Sequence, residues 1–297
     1  MQCTLCPREC KVIRENDRGK GYCGMGRLPV VSRVAAHHWE EPCISGKRGS
    51  GTVFFAGCCM RCKFCQNSKI SHTGNGVILT PKQLACTFKK VEELGVHNVN
   101  LVNPTHFADT ILEALSIANL NIPVVWNTSG YEKIETIKMT KGLVDIFLPD
   151  FKFMNIESAN VISLSSNYPN IAKEAIKCMC QISGKPLYDC DGIMLKGTLI
   201  RHLVLPLRIN ESLQILEWIK NELPQQTPVS IMSQYTPMNN VKIIGLDRKI
   251  TSREYKRVVD AMMSFEMPGY IQDRQAADPS FTPTFMDEES LKLLNFE

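Results

Sequence analysis

The densest chemistry in this sequence lies at Gly57-Cys58-Cys59-Met60-Arg61-Cys62-Lys63-Phe64-Cys65-Gln66-Asn67, where four cysteines occupy eight positions directly after the apolar run Thr52-Val53-Phe54-Phe55-Ala56. Cys58, Cys62 and Cys65 have the spacing C-x3-C-x2-C. Three thiolates on one short loop can hold three irons of a cubane 4Fe-4S cluster, and a cluster that only carries electrons takes a fourth cysteine. With three, one iron stays open to chelate a substrate or cofactor. A zinc loop is the alternative, but a closed zinc site needs a fourth ligand and usually draws on C-x2-C pairs.

A second group, Cys3, Cys6, Cys10 and Cys23, has the spacing C-x2-C-x3-C-x12-C in a segment that lacks regular periodicity. A segment that builds no core of its own needs a staple. Structural zinc fits four thiolates, and so does an auxiliary 4Fe-4S cluster that passes electrons or senses redox state. Cys43 is a possible replacement for one of the four, and free buried thiols are the remaining reading. Cys86 and Cys178 sit in helical patterns and read as small core residues, while Cys180 and Cys190 have no partners at metal spacing.

These residues need elements to position them. From Thr52 onward short β-rich runs alternate with helical patterns, the signature of βα units around a parallel sheet. Strands are expected at residues 51–56, 98–102, 122–127, 144–148, 198–205 and 229–233, which makes six in the core. Thr80-Pro81-Lys82-Gln83 is a capping box with proline at the first helical position, and Leu84, Phe88, Val91 and Leu94 recur at helical spacing until Gly95. Further helices are expected over 107–118, 133–139, 169–182 and 211–223, with a hairpin around residues 188–192. Thr251-Ser252-Arg253-Glu254 opens a last helix to about residue 265, and the polar tail after Gln272 reads as a surface wrap.

The division expected is a cysteine-rich metal-binding module over residues 1–47, a partial barrel over 48–272 and a C-terminal extension over 273–297. The chain has 297 residues, of which 44% are hydrophobic and 22% charged, so it can bury a sizeable core. It has no apolar run long enough to span a bilayer. No leader pattern is evident, which leads to the expectation of a cytoplasmic protein, where thirteen cysteines point to metal or redox chemistry more than to disulfides. The net charge of +4 is scattered without a block of like charge, so nucleic-acid binding gains no support.

The C-x3-C-x2-C motif with an aromatic residue, Phe64, before its last cysteine resembles that of the radical S-adenosylmethionine (SAM) superfamily. The resemblance implies that the open iron binds the amino and carboxylate groups of SAM and that the reduced cluster cleaves SAM to methionine and a 5'-deoxyadenosyl radical, which takes a hydrogen atom from a substrate. It makes Cys59 the surplus cysteine. A closer likeness is to the branch of pyruvate formate-lyase activating enzymes, within it to members with a cysteine-rich N-terminus. It is carried by Cys3-x2-Cys6-Pro7-Arg8-x-Cys10, Gly21-Tyr22-Cys23-Gly24, His38-Trp39-Glu40-Glu41-Pro42-Cys43-Ile44-Ser45-Gly46, Cys65-Gln66-Asn67, Asn127-Thr128-Ser129-Gly130-Tyr131 and Leu148-Pro149-Asp150-Phe151-Lys152.

In that branch a Gly-Gly-Glu element ends the second strand and holds the SAM amino group. Here the place reads Asn103-Pro104-Thr105-His106, so Asn103, Thr105 or His106 is expected to accept from the ammonium, with a helix-start role for His106 as the alternative. The resemblance also implies SAM contacts from Asn127 and Ser129, from the Asp150-x-Lys152 pair, and from Arg201, with an ordinary ion pair and a surface arginine as the plainer alternatives. Gln234 and Tyr235 are candidates for the substrate mouth, and His37, His38 and Trp39 for a lid. The functions implied are activation of a glycyl radical enzyme, fed by a reductant such as flavodoxin or ferredoxin, or radical modification of a small molecule or peptide. A non-catalytic iron-sulfur electron carrier or metal-stapled interaction protein is the rival of another class.

Overall fold

The computed structural model describes residues 2–15, 18–238, 241–273 and 284–296. Its frame is a strongly curved sheet. The parallel strands are β2 (Ser50–Phe55), β4 (Val99–Val102), β5 (Val124–Thr128) and β6 (Ile146–Pro149), followed by β8 (Met194–Thr198), β9 (Ile200–Leu203), β10 (Val229–Met232) and β11 (Gly269–Ile271). They lie in the order β2-β4-β5-β6-β8 and β9-β10-β11. Residues 194–203 are one run in which β8 pairs with β6 and β9 with β10, and a parallel bridge from Asp150 to Arg201 joins the two parts. The result is an open α/β barrel, the partial (β/α)6 form expected from the sequence, with β11 added in parallel at the far edge.

Helices cover the outside because the strands alternate. Val53 and Phe55 on β2, Val99 and Leu101 on β4, and Val124 and Trp126 on β5 pack outward against α3 (Pro81–Glu93) and α4 (Ala108–Ala118). Helix α3 begins on the capping box at Thr80, and its buried face is Leu84, Ala85, Thr87, Phe88 and Val91. Burying a side chain such as Phe88 contributes about 1.5–3 kcal/mol. On the other flank α7 (Tyr168–Ser183), α8 (Ile209–Glu222) and α9 (Ser252–Ser264) cover β9 and β10, and the box at Thr251 caps α9 as expected. The inward positions Val125, Ile146, Leu148, Met194 and Leu199, with Ile44 and Cys43, fill the barrel floor.

Several further elements go beyond the sequence reading. Strand β1 (Val30–His37) pairs antiparallel with β2 along its length, and short β3 (Val77–Ile78) pairs with its outer edge. The boundary expected at residue 47 thus falls between two paired strands, joined through α1 (Pro42–Ser45). Between the fourth strand and α7 lies α6 (Ile156–Ser163), capped by the Asn155 side chain. Within the expected C-terminal extension, α10 (Glu288–Leu293) packs on β1, where the Ser290 hydroxyl accepts from Val34 N at 3.2 Å and Arg33 pairs with Asp287. Residues 274–283 of that extension lie outside the described residues.

Candidate active site

The carboxyl ends of the parallel strands enclose a cavity of about 900 Å³. Barrels place their sites at that end because each strand delivers a loop there. Strand β2 ends at Gly57, whose φ of +76° turns the chain into the cysteine loop; a Cβ here would run into the Met25 side chain and come within 3.0 Å of Cys23 O. A second left-handed residue, Arg61 at φ +49°, tightens the loop between Cys58 and Cys62. Its side chain anchors the turn by donating to Tyr22 O and His72 O. As a result Cys58, Cys62 and Cys65 all line the cavity, and Cys59 does not.

The loop supplies donors to these sulfurs. Met60 N donates to Cys58 Sγ at 3.3 Å and the Ser71 hydroxyl to Cys65 Sγ at 3.5 Å. The hydrogen bond with Cys59, helped by backbone donors, holds the Cys58 thiol below its ordinary range against the opposing effect of burial. Burial instead pushes Cys62 and Cys65 up. Among the described residues no group of three or more His, Cys, Asp or Glu side chains is arranged to share one metal ion. A cluster does not require such sharing, because each thiolate binds its own iron. Three soft sulfur donors beside open volume therefore fit a 4Fe-4S cluster with one free iron.

Opposite the loop, alternation along the strands brings one polar residue from each to the interior. Arg201 of β9 is their centre. Its Nε donates to Asp150 Oδ1 at 2.8 Å, Nη1 to Glu40 Oε2 at 2.9 Å, and Nη2 to Asn127 Oδ1 at 2.7 Å. Glu41 Oε2 lies 3.8 Å from the same Nη1, and Lys152 Nζ donates to Asp150 Oδ2 at 2.5 Å. Burial pushes the Asp150 carboxyl up, but the charges of Arg201 and Lys152 outweigh it and the net shift is downward. Burial raises Glu40 and Glu41, and Glu41 reaches about 7 despite Arg201. Ser129 also lines the cavity, its hydroxyl buried without a hydrogen-bond partner among the described residues.

Of the pair Arg201 and His202, the arginine faces the cavity. His202 faces the helices, its ring nitrogens bonded to Phe151 O at 2.7 Å and the Ser212 hydroxyl at 2.8 Å. Asn103 lines the cavity in a left-handed conformation, φ +63°, with Nδ2 donating to Gly57 O at 2.6 Å. Thr105 and His106 are not among the lining residues. The reason is a buried carboxylate: Glu132 Oε1 accepts from Thr105 Oγ1 at 2.7 Å, Thr128 Oγ1 at 2.5 Å and Trp126 Nε1 at 3.1 Å. His106 is drawn to Ala56 O at 2.7 Å instead. Gln234, Tyr235, His37, His38 and Trp39 border the cavity, with the Tyr235 hydroxyl donating to Leu246 O.

Sequence reasoning quoted Glu40 and Glu41 only as part of a resemblance and overlooked Glu132. The doubled acid between Trp39 and Pro42 was the available signal, since a carboxylate pair at a strand exit is costly to bury without a cationic partner. The N-terminal cysteines lie against the cluster loop. Cys6 is buried beside Cys59, and Cys23 is pushed up to about 11 by burial. Cys10 Sγ accepts from Tyr22 N at 3.2 Å, and Cys3 Sγ lies 3.9 Å from Arg14 Nη1.

A partial α/β barrel with a three-cysteine loop at its mouth defines a class, and the comparisons agree with it. The family model described as the radical SAM superfamily matches residues 52–196. The uncharacterised protein MJ0674 of Methanocaldococcus jannaschii is 30% identical over 278 residues, which cover 89% of this chain and 75% of that one. The chain belongs to the radical SAM superfamily, whose enzymes carry out radical chemistry with SAM and a 4Fe-4S cluster. Among solved structures, the FeFe-hydrogenase maturase HydG of Carboxydothermus hydrogenoformans shares the fold with a TM-score of 0.54 at 14% identity, over 78% of this chain and 56% of that one. Streptococcus suis SuiB bound to precursor peptide SuiA has a TM-score of 0.49 at 12% identity, over 73% of this chain. The chain spans 46% of the SuiB chain and 56% of the HydG chain.

Proposed function

We propose that this radical SAM enzyme holds its cluster on Cys58, Cys62 and Cys65 and abstracts hydrogen from a ligand in the cavity they border, in the manner of a glycyl-radical-enzyme activase. The observation behind the reading is that three thiols and the Arg201-centred wall line one cavity. When bound and reduced, the cluster supplies the electron that splits the SAM sulfonium. The chain's own residues bind and orient. Asn103, Asn127 and Ser129 offer uncharged polar atoms, while Asp150, Lys152 and Arg201 offer fixed charges in a site shielded from water, where they act strongly. Thr105 contributes indirectly, by holding Glu132 under the β5 loop.

The activase reading rests on the Asp150-x-Lys152 and Cys65-Gln66-Asn67 elements and calls for a glycyl radical enzyme as partner and a flavodoxin or ferredoxin as reductant. Incubation of the reduced holoenzyme and SAM with a candidate partner should give a doublet-like organic spin signal on that partner. Turnover of a small molecule or peptide without any such signal would favour the second reading. That reading draws support from the three carboxylates, Glu40, Glu41 and Asp150, in a wall with two cationic side chains, a lining suited to a compact polar ligand. The N-terminal cysteines Cys3, Cys6, Cys10 and Cys23 are proposed as an auxiliary metal site, with zinc and 4Fe-4S distinguished by metal analysis of the purified protein.

A further inference from the structure

The paired part of β5 and β6 ends with Thr128 opposite Pro149. Just beyond it Ser129, Asp150 and Lys152 line the cavity, and all three are among the residues proposed to bind SAM. One hydroxyl group ties their backbones together. Tyr168 Oη, on the first residue of α7, accepts from Lys152 N at 2.8 Å and lies 2.8 Å from Asp150 O and 2.9 Å from Ser129 O. A phenol has one proton and spare lone pairs, so the two carbonyls share that proton in a three-centre bond while the oxygen receives the amide.

The ring that carries this hydroxyl is held in place. Tyr168 is fully buried, stacked on Tyr131 with ring centres 6.1 Å apart and met edge-on by Phe153 at 5.4 Å. Gly130, at φ +74°, lets the chain pass close by: a Cβ there would come within 2.8 Å of Asp150 O and 3.4 Å of Tyr168 Oη. Tyr168 itself is not among the described residues that line the cavity. Its effect on a ligand must therefore pass through the residues it holds, as when a partner behind a contact residue fixes that residue's orientation. We propose that Tyr168 is a positioning residue for SAM, whose hydroxyl sets the spacing of the β5 and β6 loop ends so that Ser129 and the Asp150-x-Lys152 pair meet the ligand together. The inference rests on the reading that these residues bind SAM.

Tyr168→Phe removes the hydroxyl and keeps the ring. In equilibrium dialysis of the anaerobically reconstituted full chain, with the cluster left oxidised so that SAM is bound and not cleaved, this variant should bind SAM about tenfold more weakly at unchanged iron content. Tyr131→Phe is the control, because the Tyr131 hydroxyl donates to Asn167 Oδ1 at 2.8 Å and neither residue is among those lining the cavity. It should lower stability in urea and leave SAM binding at the parent value. If Tyr168→Phe does not load iron, the result expected is faster hydrogen exchange at the Lys152 amide in that metal-free variant than in metal-free Tyr131→Phe. Parent-like SAM binding in loaded Tyr168→Phe, equal weakening in Tyr131→Phe, or equal Lys152 exchange in the two metal-free variants would overturn the proposal while leaving the cavity reading intact. A fully loaded parent protein that binds no SAM would instead remove that reading and the proposal with it.

Discussion

Arg201 is surrounded by Asp150, Glu40 and Glu41, and removing it would leave three buried carboxylates with Lys152 alone. Breaking a buried ion pair by deleting one partner costs about 3–5 kcal/mol. Arg201→Ala should therefore lower the stability of the metal-free protein by that amount in urea unfolding, whereas replacing an exposed arginine such as Arg253 should change little. Glu41 makes a separate prediction. Burial lifts its carboxyl from the ordinary 4.5 to about 7, so between those values the folded chain binds more protons than the unfolded one. Stability linked to this group is present below pH 4.5 and is lost as pH rises through about 7. Glu41→Gln should flatten that part of the melting-temperature profile, and an unchanged slope would show that Glu41 does not carry it. At this scale the sequence disclosed the cysteine spacing and the strand-end polar residues. It could not disclose their partners, because Glu40 reaches Arg201 across 161 positions of chain.

The alternating helices and strands were legible because their signals are local. The capping boxes at Thr80 and Thr251 both form, and the strand ends agree closely with the apolar runs. Thr80→Ala should cost about 1 kcal/mol of stability and leave SAM cleavage unchanged, measured by denaturant unfolding beside product assay. Strand β1 was harder to read. Its Val30, Val31, Ser32, Val34 and Ala35 are buried on both faces, so no alternation marks it, and only pairing with β2 reveals why. Helix α10 draws its support from β1 in the same nonlocal way. The turn at Gly57 is the element on which the cysteine loop hangs. Gly57→Ala imposes a left-handed alanine and a clash with Met25, so we expect reduced iron content after reconstitution together with lower stability. Full iron loading in that variant would show that the loop tolerates a different exit.

Over the whole molecule, folding gathers residues as far apart as Glu40 and Gln234, 194 sequence positions, around one cavity. Folding is what joins the acid pair after β1, the thiols after β2 and the arginine of β9. The N-terminal segment closes the back of the loop through Arg8, and α10 braces β1 from outside, so both support the site, and neither is among the described residues that line it. Among the described residues no helix is long and apolar enough to cross a membrane. The rival reading as a non-catalytic electron carrier has no use for a cavity of this size beside three thiols, and superfamily membership goes against it. The most direct measurement is anaerobic reconstitution with iron and sulfide, followed by incubation with SAM and dithionite and quantification of products. The account predicts methionine and 5'-deoxyadenosine from the parent protein and neither from Cys58→Ala, Cys62→Ala or Cys65→Ala. A fully loaded parent protein that releases neither product, or cleavage that survives loss of these cysteines, would contradict it.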